Sequence, residues 1–447
     1  MPTEWAAGRV GLACIAFVVW AGGSVPARAQ MEYSFDASVG RSDNILRTAD
    51  DARDETIASV GAQFGWLARS PRLTADVLAD LAYLDYRDGT LDGEVAGNLM
   101  GGMKFHVVPD RFDWVAEENF GQARRDPLAP VTPQNRENVN LFATGPDLVF
   151  GVGSGLEGSL GARYLRADFE ESDFGTERYS ALAALTRQLN SGAELGAHVG
   201  TERVKPDDEL IGGDEYDLRE FFANYSLAGK RTDLSLDAGV TQLERGELSD
   251  SGLLLRFDVR RSIGKRMELS VGFGREHSDS GQTLRFQQGI TGVDTDPGSL
   301  IASPDPFVSQ YVTAGLDAFG RRTRLAVSLA HFDQDYPDQP LQDRKELRAG
   351  LNVARDLGPT LVATLYGNYL REDFVNFAGD YNELTVGLGL NWQVGRLLYL
   401  EMLVDRATRS SDSASTEFDE NRAWLRVRFG QTLTRRTTQL RQLRPQP

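Results

Sequence analysis

The sequence contains a single cysteine, Cys14, and it lies in the apolar N-terminal segment. The rest of the chain therefore has no disulfide scaffold, thiolate metal site or cysteine nucleophile. The four histidines, His106, His198, His277 and His331, do not have the spacing of metal ligands. The H-E-x-x-H, G-x-S-x-G and Gly-rich phosphate-binding motifs are absent too. We therefore expect no enzyme, no cofactor and no dedicated metal site.

Long hydrophobic runs are also absent after the N-terminal segment. Residues 10–21 form one apolar run, and Ala27-Arg28-Ala29 follows as an A-x-A pattern. This arrangement is typical of a secretory signal peptide and is too short for a membrane-spanning helix. We predict a signal peptide over 1–29, cleaved after Ala29. The alternative is a buried N-terminal helix.

No stretch rich in Pro, Ser or Gly divides the remaining chain into domains. The formal net charge is −17, although the segments 1–29 and 434–447 are both basic. Such an acidic body argues against nucleic acid and against electrostatic binding to an anionic surface. The 46 glycines and the mean hydropathy of −0.35 fit a closed sheet, since half of each barrel strand faces water or the lumen.

One unit recurs from residue 30 onward: ten or more residues that alternate apolar and polar, followed by a turn. In 384–394 the apolar residues occupy the even positions, and in 73–83 they occupy the odd positions. Successive side chains of a strand point to opposite faces, so each unit predicts a strand with one apolar and one polar face. Twenty strands are predicted: 31–41, 56–68, 72–85, 95–108, 112–121, 138–152, 156–167, 178–189, 194–203, 216–228, 233–243, 252–263, 267–275, 307–319, 323–332, 346–356, 360–370, 383–394, 397–405 and 422–433.

The connections alternate between short turns and longer polar loops. The short turns are 69–72, 109–111, 153–155, 190–192, 229–231, 264–266, 320–322, 356–359 and 395–396. Short periplasmic turns and long outer loops are typical of outer-membrane barrels. The sequence therefore predicts an all-β fold, a transmembrane antiparallel up-and-down β-barrel over 30–433. About 20 strands are expected, with 18 as the alternative, because Pro146 interrupts one unit and predicts a bulge there.

Aromatic residues cluster near the ends of the predicted strands. They predict two interfacial girdles, although ordinary β-propensity is the alternative. The set is Trp66, Phe105, Phe112, Trp114, Tyr164, Tyr225, Tyr369, Trp392 and Phe429. Residues 434–447 carry four arginines and no acidic residue. We expect them to form a basic periplasmic tail.

The polar phase of each strand predicts the residues that face the lumen. Their charges are mixed, which favours a hydrated and weakly selective wall. Pairing of these charges across neighbouring strands is expected as well. The candidates are Asp76, Asp80, Lys104, Asp113, Glu117, Arg163, Glu220, Asp237, Arg256, Asp258, Arg260, Glu346, Arg348, Glu401, Arg426 and Arg428.

A barrel of this size would leave a wide pore, so we expect one segment to narrow it. The longest connection, 276–306, is the candidate because it carries apolar residues that a solvated loop does not need. These are Leu284, Phe286, Ile290, Val293, Leu300 and Ile301. The alternative is an extracellular loop that packs on its neighbours. Acidic outer loops such as 207–209 could bind divalent cations that bridge to lipopolysaccharide.

Several short motifs resemble those of the β-barrel porin family found with exopolysaccharide secretion genes. They are Ser42-Asp43-Asn44-Ile45, Pro109-Asp110-Arg111, Arg124-Arg125-Asp126-Pro127, Thr132-Pro133-Gln134-Asn135-Arg136-Glu137-Asn138 and Thr144-Gly145-Pro146-Asp147. The resemblance implies an outer-membrane barrel that passes polysaccharide or helps to pass it, with polysaccharide and export machinery as partners. It supplies no catalytic residues.

Three functions stay open at this point. The first is a porin-like channel or a conduit in exopolysaccharide export. The second is a structural or surface-adhesion barrel that does not conduct. The third is a barrel enzyme whose Ser/His or Asp/His pair comes from separate strands.

Overall fold

In the computed structural model, residues 29–430 are described except 154, 173, 191, 209–212, 281, 283–300, 304 and 377. Twenty strands follow one another in this part of the chain. They are β1 Ala29–Ser42, β2 Glu55–Arg69, β3 Leu73–Tyr86, β4 Glu94–Val108, β5 Phe112–Arg124, β6 Arg136–Gly153, β7 Leu156–Phe169, β8 Thr176–Asn190, β9 Ala193–Pro206, β10 Tyr216–Ala228, β11 Thr232–Arg245, β12 Leu248–Ile263, β13 Met267–Ser278, β14 Phe307–Phe319, β15 Thr323–Asp335, β16 Arg344–Asp356, β17 Leu361–Phe374, β18 Tyr381–Gln393, β19 Leu398–Ser411 and β20 Phe418–Gly430. Single 3-10 turns occur at Pro133–Asn135, Pro340–Gln342 and Ala414–Thr416.

The sheet closes on itself. Each strand pairs antiparallel with its neighbours in the chain, and β1 pairs with β20 from Ser34↔Gly430 to Ser42↔Arg422. The predicted 20-stranded up-and-down barrel is therefore confirmed. Among the described residues, no helix is long and apolar enough to cross a membrane.

All nine predicted short turns occur at one end of the barrel, which we call the periplasmic end. The loops at the other end are numbered L1 to L10 in chain order, and those used below are L1 (43–54), L3 (125–135), L7 (279–306) and L8 (336–343). One prediction about this end was wrong, because L6 is a two-residue turn, 246–247, rather than a long loop. Gly246 adopts the positive φ of 55° that lets the chain reverse there.

Pro146 does not produce the predicted bulge. The ladder between β6 and β7 runs Thr144↔Tyr164 and then Asp147↔Gly161, so equal numbers of residues are skipped on both strands. Proline has no N–H to donate, which interrupts the ladder without shifting its register. The register shift of β6 lies at Gly151/Gly153 instead.

The two faces of the wall differ as the alternation predicts. The apolar phase is exposed, as at Val60 (61%), Phe221 (61%) and Leu388 (58%). At the periplasmic end this face carries exposed Phe and Trp rings, and nearer the outer end it carries exposed Tyr rings such as Tyr83 and Tyr179. Trp66 is an exception among the predicted girdle residues, since it is buried against Ala68 and Ala75.

The spacing of the rings matches the thickness of a bilayer. Phe105 of β4 pairs with Leu73 of β3, so the two residues lie at about the same height in the wall. Tyr83 lies ten residues further along β3. At about 3.3 Å per residue and a tilt of about 40°, this separation is roughly 25 Å along the barrel axis. The exposed apolar face is therefore a membrane belt, bounded by an aromatic ring at each edge.

Candidate functional site

L3 is a compact loop whose shape is fixed by one side chain. The Asn135 amide donates to the carbonyl oxygens of Asp126, Ala129 and Pro130 at 2.8–3.2 Å, and its oxygen accepts from the Asp126 N–H at 2.8 Å. The Thr132 hydroxyl caps the 3-10 turn by accepting from the Asn135 N–H. The motif residues of the sequence thus form a loop that keeps its own conformation.

The residue before L3 reaches the far side of the barrel. Arg124, at the end of β5, donates to Glu372 of β17 at 2.8 Å and to the Tyr381 hydroxyl of β18 at 2.5 Å. Glu372 also accepts a short hydrogen bond from Tyr381. All three side chains are buried, with Arg124 at 1% exposure and Glu372 at 0%.

This contact shows that the mouth of the barrel is narrow. β5 and β17 are not neighbours in the sheet, so their contact crosses the interior of the barrel. A barrel of 20 strands is far wider than two side chains can span. The wall is therefore pinched at this level, and β5 lies within side-chain reach of β17.

Further arginines hold L3 against the opposite wall. Arg409 of β19 places its guanidinium 3.6 Å from the ring centroid of Tyr381 and donates to the Leu128 carbonyl at 2.6 Å. Arg47 of L1 donates to the Val131 carbonyl at 2.9 Å. Both carbonyls belong to L3, so the loop is fastened to β19 and to L1.

L1 also folds towards the centre of the outer end. Its Ile45 is buried against Ile57 of β2 and Tyr86 of β3, and Trp424 of β20 packs on the same cluster. Arg47 pairs with Glu420 of β20 at 2.9 Å. L1, which follows β1, therefore also contacts β20, the strand that pairs with β1 to close the barrel.

The described ends of L7 turn inward as well. Asp279 accepts two hydrogen bonds from Arg178 of β8, at 2.6 and 2.7 Å, and one from the Tyr216 hydroxyl of β10 at 2.8 Å. Burial alone would raise the pKa of the Asp279 carboxyl, but the charge and hydrogen bonds of Arg178 outweigh it and hold that pKa below its ordinary value. The start of L7, which follows β13, is thus bonded to β8, five strands away in the sheet.

The other end of L7 packs on β5 and its neighbours. Ile301 forms a parallel bridge with Arg124, and the Ala302 N–H donates to the Arg124 carbonyl at 2.9 Å. Ala302 packs in a buried cluster with Leu141 and Leu165. Of the predicted constriction residues, Ile301 is 7% exposed and lies in this inner packing. Leu284, Phe286, Ile290, Val293 and Leu300 lie outside the described residues.

The predicted lumen residues lie on the strand face opposite the exposed apolar belt, and many pair with a charged side chain on the same strand or within two strands. Lys104 lies 3.9 Å from Asp113, Arg256 2.8 Å from Glu220, and Arg428 3.1 Å from Glu401. Other pairs are Arg163–Asp147, Arg256–Asp237, Arg260–Glu268, Arg348–Glu346 and Arg426–Asp36. Asp80 accepts from Gln63, whereas Asp76 is buried with Arg69 at 4.0 Å.

His106 and His277 take part in local hydrogen bonds. His106 contacts Asp113 at 2.7 Å and Thr74 at 3.2 Å, and His277 contacts Asp250 at 3.0 Å and Thr241 at 3.3 Å. Within the part of the chain that the structure describes, no group of His, Cys, Asp and Glu is placed to hold a metal ion.

Arg124, Glu372, Tyr381 and Arg409, which build the crossing, were not among the predicted site residues. Of the four, only Arg124 belongs to one of the short motifs around L3. Those motifs resemble a family, but they do not indicate where Arg124 lies in the barrel.

The family model described as Putative beta-barrel porin 2 matches residues 346–431, which run from within β16 to the residue after β20. No curated protein matches the chain. Among solved structures, the chain is similar to a mutant of the ferric enterobactin receptor PfeA from Pseudomonas aeruginosa. The identity is 10% and the TM-score 0.47, over 90% of this chain and 81% of that one.

It is also similar to OccK2 (OpdF) from Pseudomonas aeruginosa, at 14% identity and a TM-score of 0.38, over 90% of this chain and 98% of that one. A third likeness is to the copper transporter OprC, at 11% identity and a TM-score of 0.41. It covers 91% of this chain and 81% of that one. The closed barrel and its apolar belt indicate a membrane-spanning β-barrel, and residues 346–431 are similar to the porin family model.

Proposed function

We propose that this chain is an outer-membrane channel that passes small hydrophilic solutes through a narrowed, charge-lined lumen. The observation that supports it most is the exposure of Asp80 and Asn98, which lie opposite each other on the inner face of β3 and β4. A packed interior would bury these side chains. Their exposure supports a water-filled lumen at this level.

The lining suits solutes of either charge. Most arginines of the inner face lie beside a carboxylate, so few bare charges would form a selective ring. Size is therefore the main filter, and it is set by the pinch between β5 and β17 together with the end of L7 that packs on Arg124.

The test is swelling of liposomes that contain the folded protein, in sugars of graded size. Swelling should be fast in a monosaccharide and slow in larger oligosaccharides. A variant that lacks 282–303 should extend the size range, while protein-free liposomes give the background. Absence of swelling, with protein shown to be folded by heat-modifiable gel mobility, would instead favour a structural or adhesion barrel.

A role in exopolysaccharide export stays a prediction that rests on the resemblance of the motifs. Neighbouring genes for glycosyltransferases and a polysaccharide export lipoprotein would favour it.

We also propose that lipopolysaccharide binds at the acidic outer loops through divalent cations. The test is whether chelators reduce the amount of lipid that co-purifies with the protein. Hydrolysis of lipid or peptide by the purified protein would support the enzyme alternative.

A further inference from the structure

The connections at the two ends of the barrel carry opposite charge. The nine periplasmic turns contain nine Lys and Arg residues, and their only acidic residue is Asp110. The ten outer loops contain 25 acidic and five basic residues, and L8, for example, has two acidic residues and no basic one. The net charge of −17 therefore argues against an anionic partner for the chain as a whole but not for its periplasmic end.

The nine cations of the turns are exposed and have no acidic partner. They lie in six turns and are together called the turn ring: 70–72, 109–111, 229–231, 264–266, 320–322 and 394–397. Within the described part of the chain, none of their side chains forms an ion pair or a hydrogen bond. Residues 431–447 contain no acidic side chain that could pair with them.

Cations at the outer edge of the belt are different, because they lie beside carboxylates. Arg203 is 2.8 Å from Asp217, and Arg219 is 3.0 Å from Glu244, although both arginines are half exposed. The turn ring is therefore not explained by ion pairing within the chain, and its positive charge is available to a partner outside it.

The turn ring lies beside the lower edge of the membrane belt. Phe319 and Ile263 are exposed on the belt, and Arg321 and Lys265 follow them by two residues. Because a chain advances at most about 3.6 Å per residue, the backbone of these cations lies within roughly 7 Å of the apolar surface. The polar layer beside the hydrocarbon core of a bilayer is roughly 5–8 Å thick. The charges are therefore at the depth of lipid phosphate groups.

The distribution of the turn ring favours lipid over a protein partner. Its six turns follow β2, β4, β10, β12, β14 and β18, so the cations are spread around the circumference of the barrel. A folded partner would contact one side of this end, whereas lipid contacts all sides of the belt. A ring of cations at phosphate depth fits the lipid.

We propose that the turn ring binds the phosphate groups of anionic phospholipids in the periplasmic leaflet. Ammonium and guanidinium groups hold phosphate oxygens by charge-assisted hydrogen bonds. Each additional cation near an anionic membrane surface strengthens the attraction. This inference is independent of the proposed channel, because it requires no passage through the lumen.

The chain contains its own reporters for the test. Trp114 lies three residues from Arg111 and Trp392 four residues from Arg396, and both rings are exposed on the belt, at 44% and 48%. The other two tryptophans that follow residue 29 are less exposed. Brominated acyl chains quench the fluorescence of a tryptophan that they contact. The folded protein is reconstituted in phosphatidylcholine with increasing fractions of either brominated phosphatidylglycerol or brominated phosphatidylcholine.

At equal fractions, phosphatidylglycerol should quench more strongly than phosphatidylcholine. Salt at about 1 M should remove the difference, because the Debye length falls to about 3 Å. Arg111→Gln combined with Arg396→Gln should lower the relative affinity for phosphatidylglycerol roughly fivefold at low salt, since each reporter loses its neighbouring cation.

Two control variants have different expected signs. Asp110→Asn removes the acidic residue beside Arg111 and should raise the relative affinity for phosphatidylglycerol. Asparagine tolerates the φ of 61° at this position. Arg203→Gln removes a cation at the outer edge of the belt and should change nothing at the two reporters. Heat-modifiable gel mobility shows that each variant is folded.

Equal quenching by the two lipids in the unmodified chain would overturn the proposal. So would a preference for phosphatidylglycerol that persists in the double variant or at high salt. If equal quenching is accompanied by sedimentation of the detergent-solubilised protein with purified peptidoglycan, and the double variant does not sediment, the turn ring binds carboxylates of the cell wall instead of lipid.

Discussion

At the scale of single residues, the orientation of each strand makes a sharp prediction. Leu388 is on the exposed belt of β18, and Thr385 is on its other face. Leu388→Arg should lower the free energy of unfolding by about 2–4 kcal/mol, because the charge would face lipid near the bilayer midplane. Thr385→Arg should have a much smaller effect. Urea titration in lipid measures both, and equal losses would show that the faces are assigned the wrong way round.

The Arg178–Asp279 pair predicts a pH dependence for the packing of L7. Because the pKa of Asp279 is depressed in the folded state, its stabilisation is complete above the ordinary pKa of about 3.9 and is lost as the pH falls through the folded value. Protease cleavage of L7 should therefore stay constant from pH 7 to pH 5 and rise only in stronger acid.

The matched variant is Asp279→Asn, which removes the bidentate partner of the buried Arg178 and leaves only Glu202, at 3.1 Å, to balance its charge. Removing one partner of a buried pair costs about 3–5 kcal/mol, so L7 should be cleaved at every pH. Cleavage that rises between pH 7 and pH 5 in the unmodified chain would contradict the depressed pKa.

The residues of the mouth were harder to predict than those of the wall. Asp80 and Arg256 are visible in the sequence because the polar phase of an alternating strand identifies them. Arg124 and Glu372 lie 248 positions apart, and no periodicity links them. A contact that depends on the pinching of the whole barrel cannot be read from local patterning.

At the scale of elements, the predicted strands β2 to β19 agree with the structure within one residue at their periplasmic ends, whereas β1 begins two residues earlier and β20 ends three residues earlier than predicted. Their outer ends extend further, as β19 does to Ser411 and β20 does from Phe418. Above the belt neither face contacts lipid, so the alternation that identifies a strand fades while the ladder continues. L3 was not predicted as a constriction because it is much shorter than L7, which the sequence favoured for its length and apolar content.

Gly145 and Gly151 of β6 offer a matched test of how closely the neighbouring strands pack. A Cβ at Gly145 would lie 1.9 Å from the Ala162 carbonyl oxygen, whereas a Cβ at Gly151 meets nothing within 4 Å. Gly145→Ala should cost about 1–3 kcal/mol because β6 and β7 must separate. Gly151→Ala should be neutral. The temperature at which the compact gel form disappears compares the two, and a neutral Gly145→Ala would contradict the close approach.

At the scale of the whole molecule, closure of the sheet creates a problem that the loops solve. Twenty strands enclose more space than side chains can fill, and an open lumen of this width would leak solutes. The pinch at Arg124 and the inward ends of L7 narrow the lumen at the outer end. The narrowing predicted from the apolar content of 276–306 stays a prediction, because most of that segment lies outside the described residues. The structure shows inward contacts of L1 and L3, which the sequence did not predict.

The most direct test of a narrowed channel is single-channel recording in planar bilayers, comparing the unmodified chain with the variant that lacks 282–303. The unmodified protein should give small, discrete current steps, and the deletion variant should give larger ones. Cells that carry the deletion variant should also admit bulky antibiotics. Equal steps in both proteins, each shown to be folded by heat-modifiable mobility, would contradict the account.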